Sequence, residues 1–379
     1  VESSRAFSLF YAYREAPERR AALAQPPGAL ERYRLFGLDE LSQRGARTRH
    51  NLERDGSPPA WARAADRVIN RLLYGTGGYG GDFASVLAAL RLANAADVVF
   101  STVDTVGIPL VLLKRARFVR TPIVYAAIGL PERLVQLRGK HMRRRYVSAF
   151  REAQAIVAYA ESEAAWLRNW LGSGGPPVHF VPFGVDVNAF RPDPGRAPEV
   201  DVISIGADPR RDYALLMAVA SRRPELSFRI VTTRDHARGL RTAPGNVEIE
   251  TDVPLESVRE RLAAARIVAL PVRDNSYTGA TTVLLQAMAM GKPVVVSRTD
   301  AIAAGYALED GVNCRLVEPG NAEALERALL ETVTGADAGV SLGTRARETV
   351  ERNFSWERYT NALWEVLAAA ASAGPPRRP

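Results

Sequence analysis

From end to end the chain alternates short apolar runs with longer stretches whose apolar residues recur every three to four positions. The first pattern predicts buried strands, the second helices packed on one face. Strands are expected at residues 6–13 (AFSLFYAY), 97–101, 122–127, 155–159 and 179–182. Between them, helical periodicity covers residues 83–93, 108–114, 134–151 and 163–171, and also residues 61–73, where Ala65, Val68, Ile69 and Leu72 set the period; residues 38–44 read as a helix or a mixed segment. A proline-punctuated passage at 191–198 interrupts the alternation. It restarts with strands at 201–206 (DVISIG), 227–232, 247–250, 267–270, 293–296 and 311–317. Helices are expected at 213–221, 255–265, 322–333, beyond Ser341 and at 356–371.

The most informative stretch is residues 267–297, IVALPVRDNSYTGATTVLLQAMAMGKPVVVS. A strand gives way to a polar loop, then to a helix with Ala280, Val283, Leu284, Ala287 and Met288 on one face. Gly291 stops that helix before the next strand. This is a βαβ unit of a parallel sheet, with its loop at a strand's carboxyl end. The free N–H groups and positive dipole end of such a helix suit an anion. Asp274, Asn275, Ser276, Tyr277, Thr278, Thr281, Thr282 and Gln286 crowd more polar capacity around one helix start than a cap requires. A plain surface loop is the alternative reading. Two alternating halves joined by a proline-rich link imply two doubly wound α/β domains facing across a cleft. Their expected extents are 1–190 and 191–354, with a last helix at 355–373 crossing back onto the first.

Residues 75–82, GTGGYGGD, satisfy G-x-G-x-x-G by letter. A helical pattern precedes them where the dinucleotide fingerprint needs a strand, which argues against NAD. A glycine loop capping the next helix through Asp82 fits better, either as close-approach backbone for a ligand or as a surface turn.

Composition removes several classes. Cys314 is the sole cysteine, so no internal disulfide or cysteine-rich zinc site is expected. His50, His141, His179 and His236 lack metal-ligand spacing. No apolar run reaches the ~18 residues of a membrane span, and no signal-peptide pattern opens the chain. A cytoplasmic protein is expected, trimmed at its start because it does not begin with Met. The net charge of +8 is carried almost wholly by arginine and reads as compositional bias. No helix-turn-helix, zinc-finger or RNA-recognition pattern accompanies it, so nucleic acid is not an expected partner. Residues 134–151 concentrate Arg138, Lys140, His141, Arg143, Arg144 and Arg145. That stretch is either a core helix with a solvated face or a peripheral contact for anionic lipid.

Three motifs carry a resemblance. Residues 181–192, VPFGVDVNAFRP, resemble the VPNGVDxxxFxP hinge of retaining glycosyltransferases of the GT-B fold, family four. Residues 285–295, LQAMAMGKPVV, are similar to that family's LEAMACGKPVV. Residues 246–271 resemble its NVxFxGxVpxeelxxxyxxadvxvxP. Order and spacing also match, strongly over 181–354 and more weakly before.

The resemblance implies sugar transfer from a nucleotide donor, UDP-linked before GDP-linked, to a hydroxyl acceptor, with anomeric configuration retained and with no metal or other cofactor. Residues 205–212, IGADPRRD, stand where the family has its GRlxxxKG loop, so Arg210 and Arg211 would meet the pyrophosphate near Gly206. Gly279, Ala280 and Thr281 would offer backbone amides to phosphate or sugar. Thr278 and Gln286 stand where the family has two glutamates eight positions apart. Gln286 retains hydrogen-bonding to a ribose, Thr278 cannot supply the lost charge, and Asp274 and Tyr277 are candidate replacements. The family's histidine after the strand ending near Gly129 is absent. Gly129, Gly78 and Gly80 are candidate acceptor-side backbone. Loss of the glutamates motivates an alternative, a nucleotide-sugar-binding protein without transfer activity; an epimerase on the same architecture is a third reading, against which the absent acid–base histidines and the hinge argue.

Overall fold

The computed structural model describes residues 6–374 apart from Asp55, Arg241, Ser276 and Thr278, and only the backbone of residues 336–338. The chain divides into two compact units: residues up to Val181 together with those from Thr360 onward, and Pro182–Tyr359. The sequence pattern places these boundaries at 190 and 354.

In the first unit the apolar runs become parallel strands β1 (Ser8–Ala12), β2 (Arg47–His50), β3 (Val98–Ser101), β4 (Ile123–Ala127), β5 (Ala155–Ala158) and β6 (Val178–Phe180). Their sheet order among the described residues is β2-β1-β3-β4-β5-β6. The inner strands β3, β4 and β5 are buried on both faces, as strands covered by crossover helices must be. Phe10, Val99, Tyr125 and Ile156 pack with Ile108, Val111, Tyr146 and Phe150 from the helices Asp104–Arg115 and Gly139–Phe150. The last helix, Trp356–Ser372, enters this unit from Thr360, and Trp364 lies 5.0 Å from the Phe7 ring.

The second unit holds β7 (Val200–Ile205), β8 (Phe228–Thr232), β9 (Val247–Thr251), β10 (Ala265–Leu270), β11 (Val294–Ser297) and β12 (Arg315–Val317). Their order is β12-β11-β10-β7-β8-β9, all parallel. The chain starts in the middle at β7, runs to one edge through β9, then returns to β10 on the other side of β7. The loops following β7 and β10 therefore flank the point where strand order reverses, the place where doubly wound sheets bind ligands.

Motif residues explain parts of this geometry. Gly291 at φ +67° ends the helix Thr281–Ala289, and Arg347 Nη1 donates to the Ala289 carbonyl at the same terminus. The following Lys292 ties the start of β10 to the preceding helix, donating to Ala263 O at 2.6 Å and Ala265 O at 2.8 Å. In VPFGVD, a Cβ on Gly184 would come within 2.8 Å of Tyr359 Cβ, so glycine lets this segment lie against the start of the last helix. Val185 N–H and O close hydrogen bonds with Phe354 and Trp356 there.

Four expectations need correction. Strand β2 (RTRH) has no counterpart in the sequence pattern, because it is an edge strand with alternating exposed residues and no apolar run. Residues 134–151 are not one helix: Leu130–Leu134 ends, and Gly139 at φ +79° precedes Gly139–Phe150. Residues 83–93 split into Phe83–Ala88 and Leu90–Ala95, although Asp82 does cap the first, accepting Ser85 N–H at 2.9 Å. Finally, Val68 and Leu72 of the helix Ala60–Gly75 face outward, while Ile69 and Leu73 pack on the core.

Candidate functional site

The loops after β7 and β10 are stitched to each other. Arg211 and Val272 form an antiparallel bridge. Asp212 N–H donates to Pro271 O at 2.9 Å, and Arg273 N–H to Arg210 O at 2.8 Å. Asp208 is the knot: its Oδ1 accepts Arg210 N–H at 2.7 Å and the Tyr277 hydroxyl at 2.9 Å. Gly279 lies so close to the Asp208 carboxylate that a Cβ would come within 2.7 Å of it. Asn275 holds the second loop's bend, donating to Arg273 O at 2.7 Å and accepting Tyr277 N–H at 3.1 Å. Nothing in the sequence singles out Asp208, which is one acid in a polar turn. Its partner Tyr277 comes from a loop about seventy residues away, which no local pattern reveals.

The two expected cations separate. Arg211 is 5% exposed. Its guanidinium turns back over Gly206, where any Cβ would collide with it, and Nη2 donates to Ile205 O at 2.6 Å. Its Nε and Nη1 are buried without a hydrogen-bond partner among the described residues. Burial pulls its pKa below the usual arginine value, opposed by the nearby Tyr213 and Asp208. A buried cation with two unsatisfied donors is costly unless an anion completes it. Arg210 is half-exposed and contributes backbone to the stitching. The Gly206 carbonyl accepts Tyr213 OH at 2.6 Å and Thr232 Oγ1 at 2.8 Å, fixing the end of β7.

The helix Thr281–Ala289 begins at Ala280, and no Ala280 side-chain hydrogen bond caps it. The Thr281 hydroxyl is buried and unpartnered among the described residues. Gln286 is 3% exposed and no described group bonds its side-chain amide. Asp274 is exposed, and Thr278 lies outside the described residues.

In the first unit, Gly78 and Gly80 make room for neighbours of the same unit. Gly78 lies against Tyr146 and Met142, and Gly80 against the Asn70 side chain. Gly129, at φ +73°, starts the short helix after β4. Beside it sit two buried acids that no sequence motif marks: Asp104 after β3 and Glu163 after β5. Asp104 Oδ1 accepts Tyr125 OH at 2.8 Å, and Arg133 Nε lies 3.6 Å from its Oδ2. Glu163 Oε1 accepts Leu130 N–H at 3.0 Å. Burial raises the Asp104 pKa to about 6 against the pull of Arg133 and Tyr125. Burial, with Asp104 nearby, raises Glu163 to about 8.

Two doubly wound α/β units in one chain are the architecture of the GT-B fold. Residues 212–334 match the glycosyl transferases group 1 family, and the two-unit fold is that of GT-B glycosyltransferase structures. The chain is 26% identical over 300 residues to an MMP alpha-(1->4)-mannosyltransferase of Mycolicibacterium hassiacum, covering 74% of this chain and 69% of the relative. Among solved structures, sucrose-phosphate synthase from Thermosynechococcus elongatus superposes with a TM-score of 0.73 at 16% identity, covering 97% of this chain and 100% of that one. HepE of Anabaena, solved in complex with UDP and glucose, gives 0.69 at 16% identity over 96% and 100%. No helix among the described residues is long and apolar enough to cross a membrane.

Proposed function

We propose that the chain is a retaining, metal-independent glycosyltransferase that moves a sugar from a nucleotide-sugar donor, UDP-linked before GDP-linked, to a hydroxyl acceptor. The observation that carries this reading is Arg211, a buried cation with two unpartnered donors at the switch point of the second sheet. The uncapped helix start after Ala280 lies on the adjoining loop. The family match over residues 212–334 and the likeness to HepE, which binds UDP and glucose, support it.

In this reading Arg211 and the amides at Gly279, Ala280 and Thr281 take the donor diphosphate, and Gln286 takes a ribose hydroxyl. The bond from the anomeric carbon to the diphosphate oxygen breaks, and the acceptor oxygen bonds to that carbon on the same face. The acceptor proton passes to a donor phosphate oxygen, so the chain need supply no nucleophile. Its contribution is to stabilise leaving-group charge and hold geometry. Charge that a metal would provide elsewhere comes here from the guanidinium and helix dipole.

A second reading, a nucleotide-sugar-binding protein without turnover, is favoured by Gln286 and Thr278 standing in place of two glutamates. A panel of nucleotide sugars, assayed for nucleotide release with and without chelator, separates the two. Release undiminished by chelator supports transfer; binding without release supports the second reading.

A further inference from the structure

The loops after β7 and β10 carry three acids, Asp208, Asp212 and Asp274, and they differ in what holds them. Asp212 caps the helix Tyr213–Arg222, accepting Leu215 N–H at 3.2 Å, with Arg273 Nη2 at 3.8 Å. Asp274 is exposed. Asp208 is half-buried and fixed. Its Oδ1 is taken by Arg210 N–H and Tyr277 OH, and its carboxylate presses on Gly279, just before the start of the helix Thr281–Ala289. Its Oδ2 takes no hydrogen bond among the described residues.

Arg211 lies close enough to feel the Asp208 charge. Yet none of its donors bonds that carboxylate: Nη2 goes to Ile205 O, and Nε and Nη1 stay unpartnered among the described residues. An acid that served to neutralise a buried guanidinium would pair with it. This one is held off by the Arg210 amide and the Tyr277 hydroxyl. The loops therefore offer one ligand both an unsatisfied cation and a fixed anion.

We propose that the Asp208 carboxylate limits the negative charge this site accepts, so that a nucleotide sugar binds in preference to the free nucleoside diphosphate and the spent nucleotide is released. The inference rests on the donor reading above. In a nucleotide sugar both phosphates are esterified or bridged. Transfer leaves a terminal phosphate, which carries extra negative charge near neutral pH. Arg211 and the helix start attract both ligands through the diphosphate. A carboxylate fixed beside them penalises the extra charge, because like charges repel more strongly away from bulk water. A repulsive element of this kind sets specificity as much as an attractive one. The same charge disfavours a donor whose sugar is itself acidic, so the site takes an uncharged sugar.

The test is calorimetric titration of the full chain with UDP, UDP-glucose and UDP-glucuronate, in wild type, Asp208→Asn and Asp212→Asn. Asparagine at 208 keeps an oxygen for Arg210 N–H and Tyr277 OH and removes only the charge. Wild type is expected to favour UDP-glucose over both UDP and UDP-glucuronate. Asp208→Asn should shrink both preferences about tenfold, by tightening UDP and UDP-glucuronate rather than by weakening UDP-glucose. Asp212→Asn, which still caps Leu215 N–H, should keep both preferences. Equal binding of UDP-glucose and UDP-glucuronate by wild type overturns the proposal, as do preferences that survive Asp208→Asn. So does equal erosion by Asp212→Asn, which would assign the effect to the total charge of the loops. A loss confined to UDP-glucose in Asp208→Asn also overturns it, since the carboxylate would then be holding sugar hydroxyls. Wild type that binds neither UDP nor GDP would instead strike the donor reading itself, and this inference with it.

Discussion

Glu163 shows how one buried side chain makes a whole unit respond to pH. Its carboxyl moves from an ordinary value of 4.5 to about 8, chiefly through burial, and Asp104 moves from 3.8 to about 6. The folded chain therefore keeps protons that the unfolded chain releases. Stability is greatest where both states are protonated and falls as pH rises through the window up to about 8. Glu163→Gln keeps an oxygen for Leu130 N–H and removes the titration. The urea midpoint of the variant is expected to fall less than the wild type's between about pH 5 and pH 9, a span that takes in most of the Glu163 shift. Parallel midpoints would show that Glu163 does not titrate across folding. Neither acid stands out in the sequence, because each is a single charge after an apolar run and burial is a tertiary property. Arg211 is legible there as a cation near a strand end. Its separation from Arg210 is not, since only the turn of the chain over Gly206 decides which arginine is buried.

Elements are legible in the sequence where periodicity and punctuation agree. The helix Thr281–Ala289 and strands β10 and β11 follow from the apolar run, the polar loop and Gly291. Edge strand β2 and the break before Gly139 do not, because an exposed strand has no apolar signature and a glycine inside a helical pattern is tolerated as often as it breaks. The exposed ridge of Ala60–Gly75 shares the periodicity of a core face, since the period marks apolar residues without saying whether a partner covers them. The contact between the β7 and β10 loops gives an element-scale prediction. Asp208 is held by Arg210 N–H and Tyr277 OH, so it cannot yield to a Cβ on Gly279. Gly279→Ala should destabilise the second unit by about 1–3 kcal/mol, the usual overpacking cost. Adding Asp208→Ala should recover part of that loss in chemical denaturation. Purely additive losses would mean the two residues do not press on each other.

At the scale of the molecule, each unit has its own parallel sheet and its own core. The alternation of apolar runs along the chain carries that organisation, whereas sheet order depends on contacts between distant strands that no local pattern encodes. The reversal between β7 and β10 places the loops that follow them together, and the family match falls on the same unit. A nucleotide that binds there should protect amides in residues 206–212 and 271–286 from hydrogen exchange, leaving β1–β6 core amides unchanged. Binding at 100 times Kd adds about 2.7 kcal/mol of stability, so the protected amides should slow measurably. Protection appearing first in the first unit would place the nucleotide elsewhere.

The central claim is that Arg211 receives the donor diphosphate, and calorimetric titration of UDP into wild type, Arg211→Ala and Arg210→Ala tests it most directly. Loss of buried charge-assisted bonds predicts about 10- to 100-fold weaker binding for Arg211→Ala, with Arg210→Ala changed far less and both variants folded. Unchanged UDP affinity in Arg211→Ala, or a loss confined to Arg210→Ala, would contradict the account.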